Sequence, residues 1–248
     1  MSGSLLTVRM QHPVGGLSID VAFNLMHPWT VLFGPSGSGK TTVLRAIAGF
    51  LKPRDAEITF GSENRVLINT RQRIFVAAHR RPVRSAAQAA RLFPHQSVRQ
   101  NLIYGLSSNG KGVDISGLVE ELISLFRLDD LANRRPQELS GGEQQRASVA
   151  RAVVAASSYS GPEKPLLLLD EPFTGLDARL RDELLSDLRE WLARRNVPVL
   201  SVTHALGEAF QLGAEVIKIA DGRVVQQGPV GVVLAEERRR LLEQLRLR

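Results

Sequence analysis

The sequence predicts an α/β fold: a nucleotide-binding core with a mainly parallel sheet, an antiparallel β-subdomain on the N-terminal side, and a helical insert. Three observations carry this. Short apolar runs, Thr30-Val31-Leu32-Phe33, Leu166-Leu167-Leu168-Leu169 and Val199-Leu200-Ser201-Val202-Thr203, alternate with helix-length segments, the pattern of strands buried on both faces. The first run leads straight into Gly34-Pro35-Ser36-Gly37-Ser38-Gly39-Lys40-Thr41-Thr42, a complete Gly-x4-Gly-Lys-Thr motif that opens a helix. Leu17 to Phe23 alternates apolar and polar, as a half-buried strand does.

Taken from the N-terminus, Gly15-Gly16 reads as the turn before that alternating strand. The motif at 34–42 has the strand before it and the helix Val43–Gly49 after it that a phosphate loop requires, which makes this a P-loop NTPase core. Its glycines let successive N–H groups point at one anion, and the helix N-terminus adds partial positive charge. Lys40 reaches the terminal phosphates and the Thr41 hydroxyl ligates Mg2+. Pro53 ends this helical region, and Glu57–Phe60 with Arg65–Ile68 reads as a further antiparallel pair. Roughly residues 97–138 read as the helical insert, with Leu118, Leu122, Leu125 and Phe126 as core at helical spacing. Helices are expected at 143–156, 177–194 and 206–212, and a polar loop at 157–165. Val216–Ile219 and Arg223–Gln226 flank Asp221-Gly222, a hairpin signal. About residues 229–248 form a helical tail whose Leu241, Leu242 and Leu245 are expected to pack.

Composition narrows the functional classes. The 248 residues, 43% hydrophobic, suffice for one large domain that buries a real core. With no cysteine there is neither a disulfide nor a thiolate metal site, which fits a reducing compartment. Met1-Ser2-Gly3-Ser4 lacks the features of a signal peptide, and no apolar run approaches the length of a membrane span. The net charge of +7 is dispersed over small arginine knots with no aromatic-interleaved basic patch. That favours solvated faces plus a phosphate ligand, with anionic headgroups as the functional alternative, and no nucleic acid.

The second half of an NTPase site follows. Leu166–Leu169 ends in Asp170-Glu171, which puts Asp170 at the carboxyl edge of the sheet as a Mg2+ ligand. Glu171, one residue on, is placed to polarise a water for in-line attack. Leu139-Ser140-Gly141-Gly142-Glu143-Gln144-Gln145-Arg146 then supplies a second anion-receptive helix N-terminus. One chain thus carries two phosphate cradles, and a single ATP does not need both.

In these residues the sequence resembles the ATPase subunit of ATP-binding cassette (ABC) transporters, in the family's motif order, from residue 5 to about 230. The resemblance implies a head-to-tail homodimer. Each ATP then lies between one copy's phosphate loop and the partner's Ser140, Gly141, Gly142 and Gln144, with Asp177 of Gly175-Leu176-Asp177 at the seam. It further implies that Gln88 contacts Mg2+ and the attacking water, and that His204 holds the γ-phosphate beside Glu171. The family's aromatic residue ahead of the phosphate loop has no counterpart; His12, Pro13 and Leu17 occupy the matching region. Val83-Arg84-Ser85-Ala86-Ala87, where the family has an apolar strand, reads as a poor one.

Ala90 to Leu102, with Phe33-Gly34-Pro35 and His79-Arg80-Arg81, is similar to molybdate-importer ATP-binding proteins. This implies an importer ATPase at the cytoplasmic face of the membrane, docked on transmembrane permease subunits and served indirectly by a solute-binding protein. Molybdate or a similar oxyanion is the expected cargo, with iron, sulfate, polyamine or thiamine as alternatives. With the sequence ending at Arg248, no C-terminal oxyanion-binding β-domain is expected. A soluble ABC ATPase acting on nucleic acid or ribosomes usually has two cassettes or long helical inserts, and neither is seen. A non-hydrolysing regulator is opposed by the presence of Lys40, Glu171 and His204.

Overall fold

A computed structural model describes residues 4–104, 106, 115–213 and 215–246. Part of the expected insert (residue 105 and residues 107–114), the first three residues and the last two of the tail lie outside the described residues. The chain folds as two compact units, Met1–Arg81 with Val202–Arg248, and Pro82–Ser201.

The first unit opens with an antiparallel hairpin. β1 (Leu6–Val14) and β2 (Leu17–Leu25) pair from Leu6 opposite Leu25 to Val14 opposite Leu17. β2 buries Ile19, Val21, Phe23 and Leu25 and exposes the polar or small residues between them, so its alternation fixes which face is core. β3 (Trp29–Phe33) is buried at every position and leads into α1 (Lys40–Ala48). Gly49, at φ 85°, ends that helix before Pro53 is reached, its N–H returning to Ala46 O. β4 (Asp55–Phe60), β5 (Arg65–Asn69) and β6 (Ile74–Phe75) then extend the antiparallel layer outward from β1.

The second unit begins with β7 (Val83–Ala86), then α2 (Val98–Tyr104), α3 (Ile115–Leu125), α4 (Gly141–Ser157), β8 (Leu166–Asp170), α5 (Ala178–Arg194) and β9 (Val199–Thr203), whose last two residues return the chain to the first unit. The unlikely strand does form: β7 runs parallel to β8, Val83 opposite Leu166 through Ala86 opposite Leu169. Its polar residues are tolerated because β7 ends the strand order β9-β8-β7 and has one neighbour among the described residues. It buries only Val83 and Ala86, and the Arg84 guanidinium lies over the Tyr159 ring, 4.9 Å from its centroid. α5 shows the amphipathic spacing behind a one-sided helix, burying Leu184, Leu185, Leu188, Trp191 and Leu192.

Back in the first unit, α6 (Leu206–Leu212) precedes β10 (Glu215–Ala220) and β11 (Arg223–Pro229), and α7 (Val230–Val233) and α8 (Ala235–Arg246) follow. β10 pairs parallel with β3 and antiparallel with β11. Asp221 and Gly222 both take positive φ, 48° and 75°, as the two central residues of a tight hairpin turn require. A Cβ on Gly222 would stand 2.4 Å from Ser18 O, so β11 approaches β2 only because this residue is glycine. One expectation fails in the tail. Leu241 and Leu242 are 43% and 47% exposed, because α8 is fastened through its first turns, by the Lys218–Glu237 ion pair at 2.5 Å and by Arg238 over the Phe210 ring. The side chain of Leu245 lies outside the described residues.

Candidate functional site

The phosphate loop of the first unit is built on buried β3. Gly37 and Gly39 take φ 81° and 98°, the left-handed conformations that turn the backbone inward. Side chains are also excluded by contact: a Cβ on Gly34 would stand 2.1 Å from Ile219 O of β10. Lys40 is 5% exposed, and its Nζ donates to Gly34 O at 2.8 Å and Pro35 O at 2.7 Å, so the cation is folded into the loop itself. Ser38 Oγ is buried without a hydrogen-bond partner, an orphan that a phosphate oxygen would satisfy. Pro35, Ser36 and Gly37 are exposed, Thr41 is exposed on the first turn of α1, and Thr42 is half-buried. A buried cation, an unpaired hydroxyl and a helix N-terminus together fit a nucleotide's phosphates. Hydroxyl, amide and carboxylate oxygens, as on Thr41, Gln88 and Asp170, are the donors Mg2+ prefers.

The far end of α1 carries a feature that sequence reasoning missed. Arg81 is 1% exposed and donates from Nη1 to Ala46 O at 2.8 Å and Ile47 O at 2.7 Å, and from Nε to Val76 O at 2.7 Å. It thus adds donors at the carbonyl end of the helix, where Ala46 O also accepts from the Gly49 N–H, a favourable place for a cation. Burial pushes its guanidinium down to about 10. A Cβ on Gly49 would stand 2.8 Å from Arg81 Nε, so the C-cap glycine also makes room for the arginine.

In the second unit, Asp170 closes β8 at 5% exposure. Glu171 follows at φ 47°, a left-handed conformation that costs a non-glycine residue about 1–3 kcal/mol. The surroundings hold it there: Gln88 Nε2 donates to Glu171 Oε2 at 3.1 Å, and Thr174 Oγ1 donates to the same oxygen at 3.2 Å. Gln88 and Glu171, 83 residues apart in sequence, are thus brought together. Thr174 was not among the expected residues; a threonine three positions after the acid, in a turn, was its only signal.

Ser140 is the exposed N-cap of α4 and forms a capping box: its Oγ accepts from Glu143 N at 3.3 Å, and Glu143 Oε2 accepts from Ser140 N at 2.7 Å. The Ser140 backbone N–H, first among several causes, holds the Glu143 carboxyl below the usual carboxylate range. Gln144 Nε2 donates to Pro136 O and Leu139 O, holding the turn that delivers Ser140. Arg146 Nη1 donates to Phe126 O and Arg127 O just past α3. A Cβ on Gly142 would stand 2.6 Å from Leu176 Cδ2, so the Gly175-Leu176-Asp177 segment packs directly on this turn. Asp177 N-caps α5, Oδ1 accepting from Leu180 N at 3.0 Å.

His204 follows β9 and is exposed. The residue before it is pinned: Thr203 Oγ1 donates to Glu208 Oε2 at 2.6 Å and accepts from Ala205 N at 3.0 Å. His204 and the phosphate loop belong to the first unit; Gln88, Ser140–Gln144, Asp170, Glu171 and Asp177 belong to the second. Leu17, in the region where the family's aromatic has no counterpart, comes within 3.8 Å of where a Cβ on Gly39 would stand.

A family model described as ABC transporter matches residues 20–174. The molybdenum import ATP-binding protein ModC of Mesorhizobium japonicum is 36% identical over 92% of this chain and 59% of its own length. ModC of Pseudomonas aeruginosa is 37% identical over 95% of the chain and 62% of its own length. The spermidine/putrescine import ATP-binding protein PotA 1 of P. aeruginosa is 38% identical over 80% of the chain and 51% of its own length. The chain therefore spans 51–62% of the length of these relatives. Among solved structures, an ATP-binding subunit of an ABC transporter superposes with a TM-score of 0.74 at 23% identity, covering 94% of this chain and 93% of the other. A dimeric ATP-binding cassette in a post-hydrolysis state with ADP and Pi superposes with a TM-score of 0.71 at 24% identity, covering 91% and 98%. These two show the fold.

Proposed function

The chain belongs to the ABC transporter family, and from that premise we propose that it binds and hydrolyses ATP as the motor subunit of an importer. The observation that carries this reading is Glu171, a carboxylate kept in a strained conformation by Gln88 and Thr174 directly after the Asp170 strand end. Strain of that kind persists where the surroundings enforce it, as they do at reaction centres.

In the mechanism, Lys40 leaves the loop carbonyls it holds and takes phosphate oxygens instead, while the α1 N-terminus and Ser38 Oγ complete the cradle. Thr41, Gln88 and Asp170 would hold Mg2+, which when bound neutralises phosphate charge. Gln88 and His204 orient a water, and Glu171 takes its proton as the oxygen attacks the γ-phosphorus. The bond from that phosphorus to the bridging oxygen breaks, and the electron pair leaves with ADP. Two copies pair head to tail, each lending Ser140–Gly142 and Gln144 to the other's nucleotide, with Asp177 at the seam. Closure drives permease subunits that a solute-binding protein loads, at the cytoplasmic face of the membrane. No helix among the described residues is long and apolar enough to cross a membrane.

The cargo we infer is molybdate or a similar oxyanion, because ModC relatives match over more than nine-tenths of the chain. A polyamine is the second reading, favoured by the 38% identity to PotA 1. The deciding experiment is uptake by membrane vesicles holding the chain with its co-purifying permease. ATP-dependent accumulation of labelled molybdate supports the first reading, spermidine accumulation the second, and RNA-stimulated turnover without a membrane partner overturns both.

A further inference from the structure

We propose that Arg151 and Asn101 are positioning residues that fasten the segment 87–97 to helix α4, so that displacement of α4 reaches Gln88 and, through it, the Glu171 carboxylate. The inference rests on the proposed role of Glu171 as the base, and it lies wholly within the second unit.

Helix α4 grips the segment at two places. Gln145 Nε2 donates to Ala87 O at 3.3 Å, one residue before Gln88. About 9 Å further along the helix axis, Arg151 Nη2 donates to Arg91 O at 2.5 Å, and its Nη1 to Asn101 Oδ1 at 3.3 Å. The guanidinium also lies over the Phe93 ring, 5.3 Å from its centroid. Asn101 is fully buried, and its amide is used to capacity. Oδ1 accepts from Phe93 N at 2.8 Å as well as from Arg151, and Nδ2 donates to the carbonyls of Phe93 at 3.2 Å, Gln96 at 3.2 Å and Ser97 at 3.0 Å. The segment has no regular ladder of its own, so one amide and one guanidinium close its main hydrogen bonds.

The choice of groups separates this from ordinary surface pairing. Arg151 spends its donors on oxygens of the segment and of Asn101, and burial, the leading cause, lowers its pKa. A half-buried cation that gives two bonds in a planar fork fixes direction as well as distance, which an ammonium does not. α4 is also the helix that Ser140, Gly141 and Gly142 open. Whatever engages its N-terminus therefore acts on the rigid body that holds Ala87 and Arg91 on either side of Gln88.

The test uses the full chain and two readouts. In hydrogen exchange without nucleotide, Arg151→Met is expected to speed exchange across residues 87–97 by about tenfold or more while the amides of α4 and β8 keep their protection. In steady-state kinetics the same change is expected to lower kcat about tenfold with the KM for ATP held within about twofold. Arg151→Lys should recover part of the loss, and in a Gln88→Ala background Arg151→Met should lower kcat no further. Unchanged exchange in 87–97, or a loss of kcat that adds fully to that of Gln88→Ala, overturns the proposal. Asn101→Ala risks the fold, so Gln145→Met serves as the second variant, with the same two outcomes. A wild-type chain that fails to turn over ATP overturns the enzymatic reading instead, and the exchange experiment still decides the fastening.

Discussion

Thr174 and Gln88 both donate to a single oxygen of Glu171, Oε2, at 3.2 Å and 3.1 Å, although they approach from opposite sides of the sequence. The two donors set the direction of the carboxylate. In Glu171→Gln the amide oxygen can still accept both bonds, so the loop survives while the proton acceptor is lost. The expected result is a fall in kcat of about 100-fold or more and an ATP-bound dimer that persists on size exclusion with light scattering. A variant that stays monomeric in ATP and Mg2+ would contradict the head-to-tail assembly.

Thr174→Val removes one of the two donors at nearly constant volume. Loss of one such bond is worth about 1 kcal/mol, so kcat should fall about fivefold with the KM for ATP unchanged. Equal activity would mean that Gln88 alone orients the base.

Arg81→Met removes the guanidinium donors from the carbonyls of Ala46, Ile47 and Val76, while Ala46 O keeps its bond from the Gly49 N–H. Deleting one side of a buried charged network costs about 3 kcal/mol or more, a drop of about 6–12 °C in Tm for a chain of this size. Calorimetry checks it, and a shift below about 2 °C would show that the arginine does not hold the helix end.

The two signature glycines should behave differently. A Cβ at Gly141 meets nothing within 4 Å, whereas one at Gly142 stands 2.6 Å from Leu176 Cδ2. Gly141→Ala should melt within about 1 °C of wild type or slightly higher. Gly142→Ala should lose about 1 kcal/mol and shift the resonances of Leu176 and Asp177.

Acid should loosen the start of α4. The Glu143 carboxyl is lowered in the folded chain, so between the folded and unfolded values the unfolded chain binds more protons and stability rises with pH. The contribution is present above the ordinary glutamate range and is lost as pH falls through the folded value. Exchange of the α4 N-terminal amides should therefore accelerate on acidification. Glu143→Gln, which keeps an acceptor but not the titration, should flatten that dependence.

Much of this molecule was legible from residue order. Burial on both faces declared β3, β8 and β9, and paired positive-φ signals declared the β10–β11 turn at Asp221-Gly222. β7 was nearly missed because strand patterns assume two neighbours, and Arg84 and Ser85 are acceptable only on a strand with one. The site was legible where chemistry is local, as in Gly34–Thr42 or Ser140–Gln144. It was illegible where one side chain serves distant backbone. Arg81 reads as one arginine in a basic knot, yet its partners sit 34 and 35 residues earlier. Asn101 and Arg151 read as one more polar residue on each of two helices, because carbonyl oxygens, their real partners, leave no mark in the sequence.

Arg81 is the last residue before Pro82, where the chain crosses from one unit into the other. Plugging the end of α1 with that side chain ties the phosphate-loop helix by hydrogen bonds to a residue seven positions ahead of Gln88 in sequence. Drawing α1 away from Arg81 would strip a cation only 1% exposed of its carbonyl partners. The end of the phosphate-loop helix is thereby moored to the residue beside the unit boundary from inside the fold rather than through a surface contact.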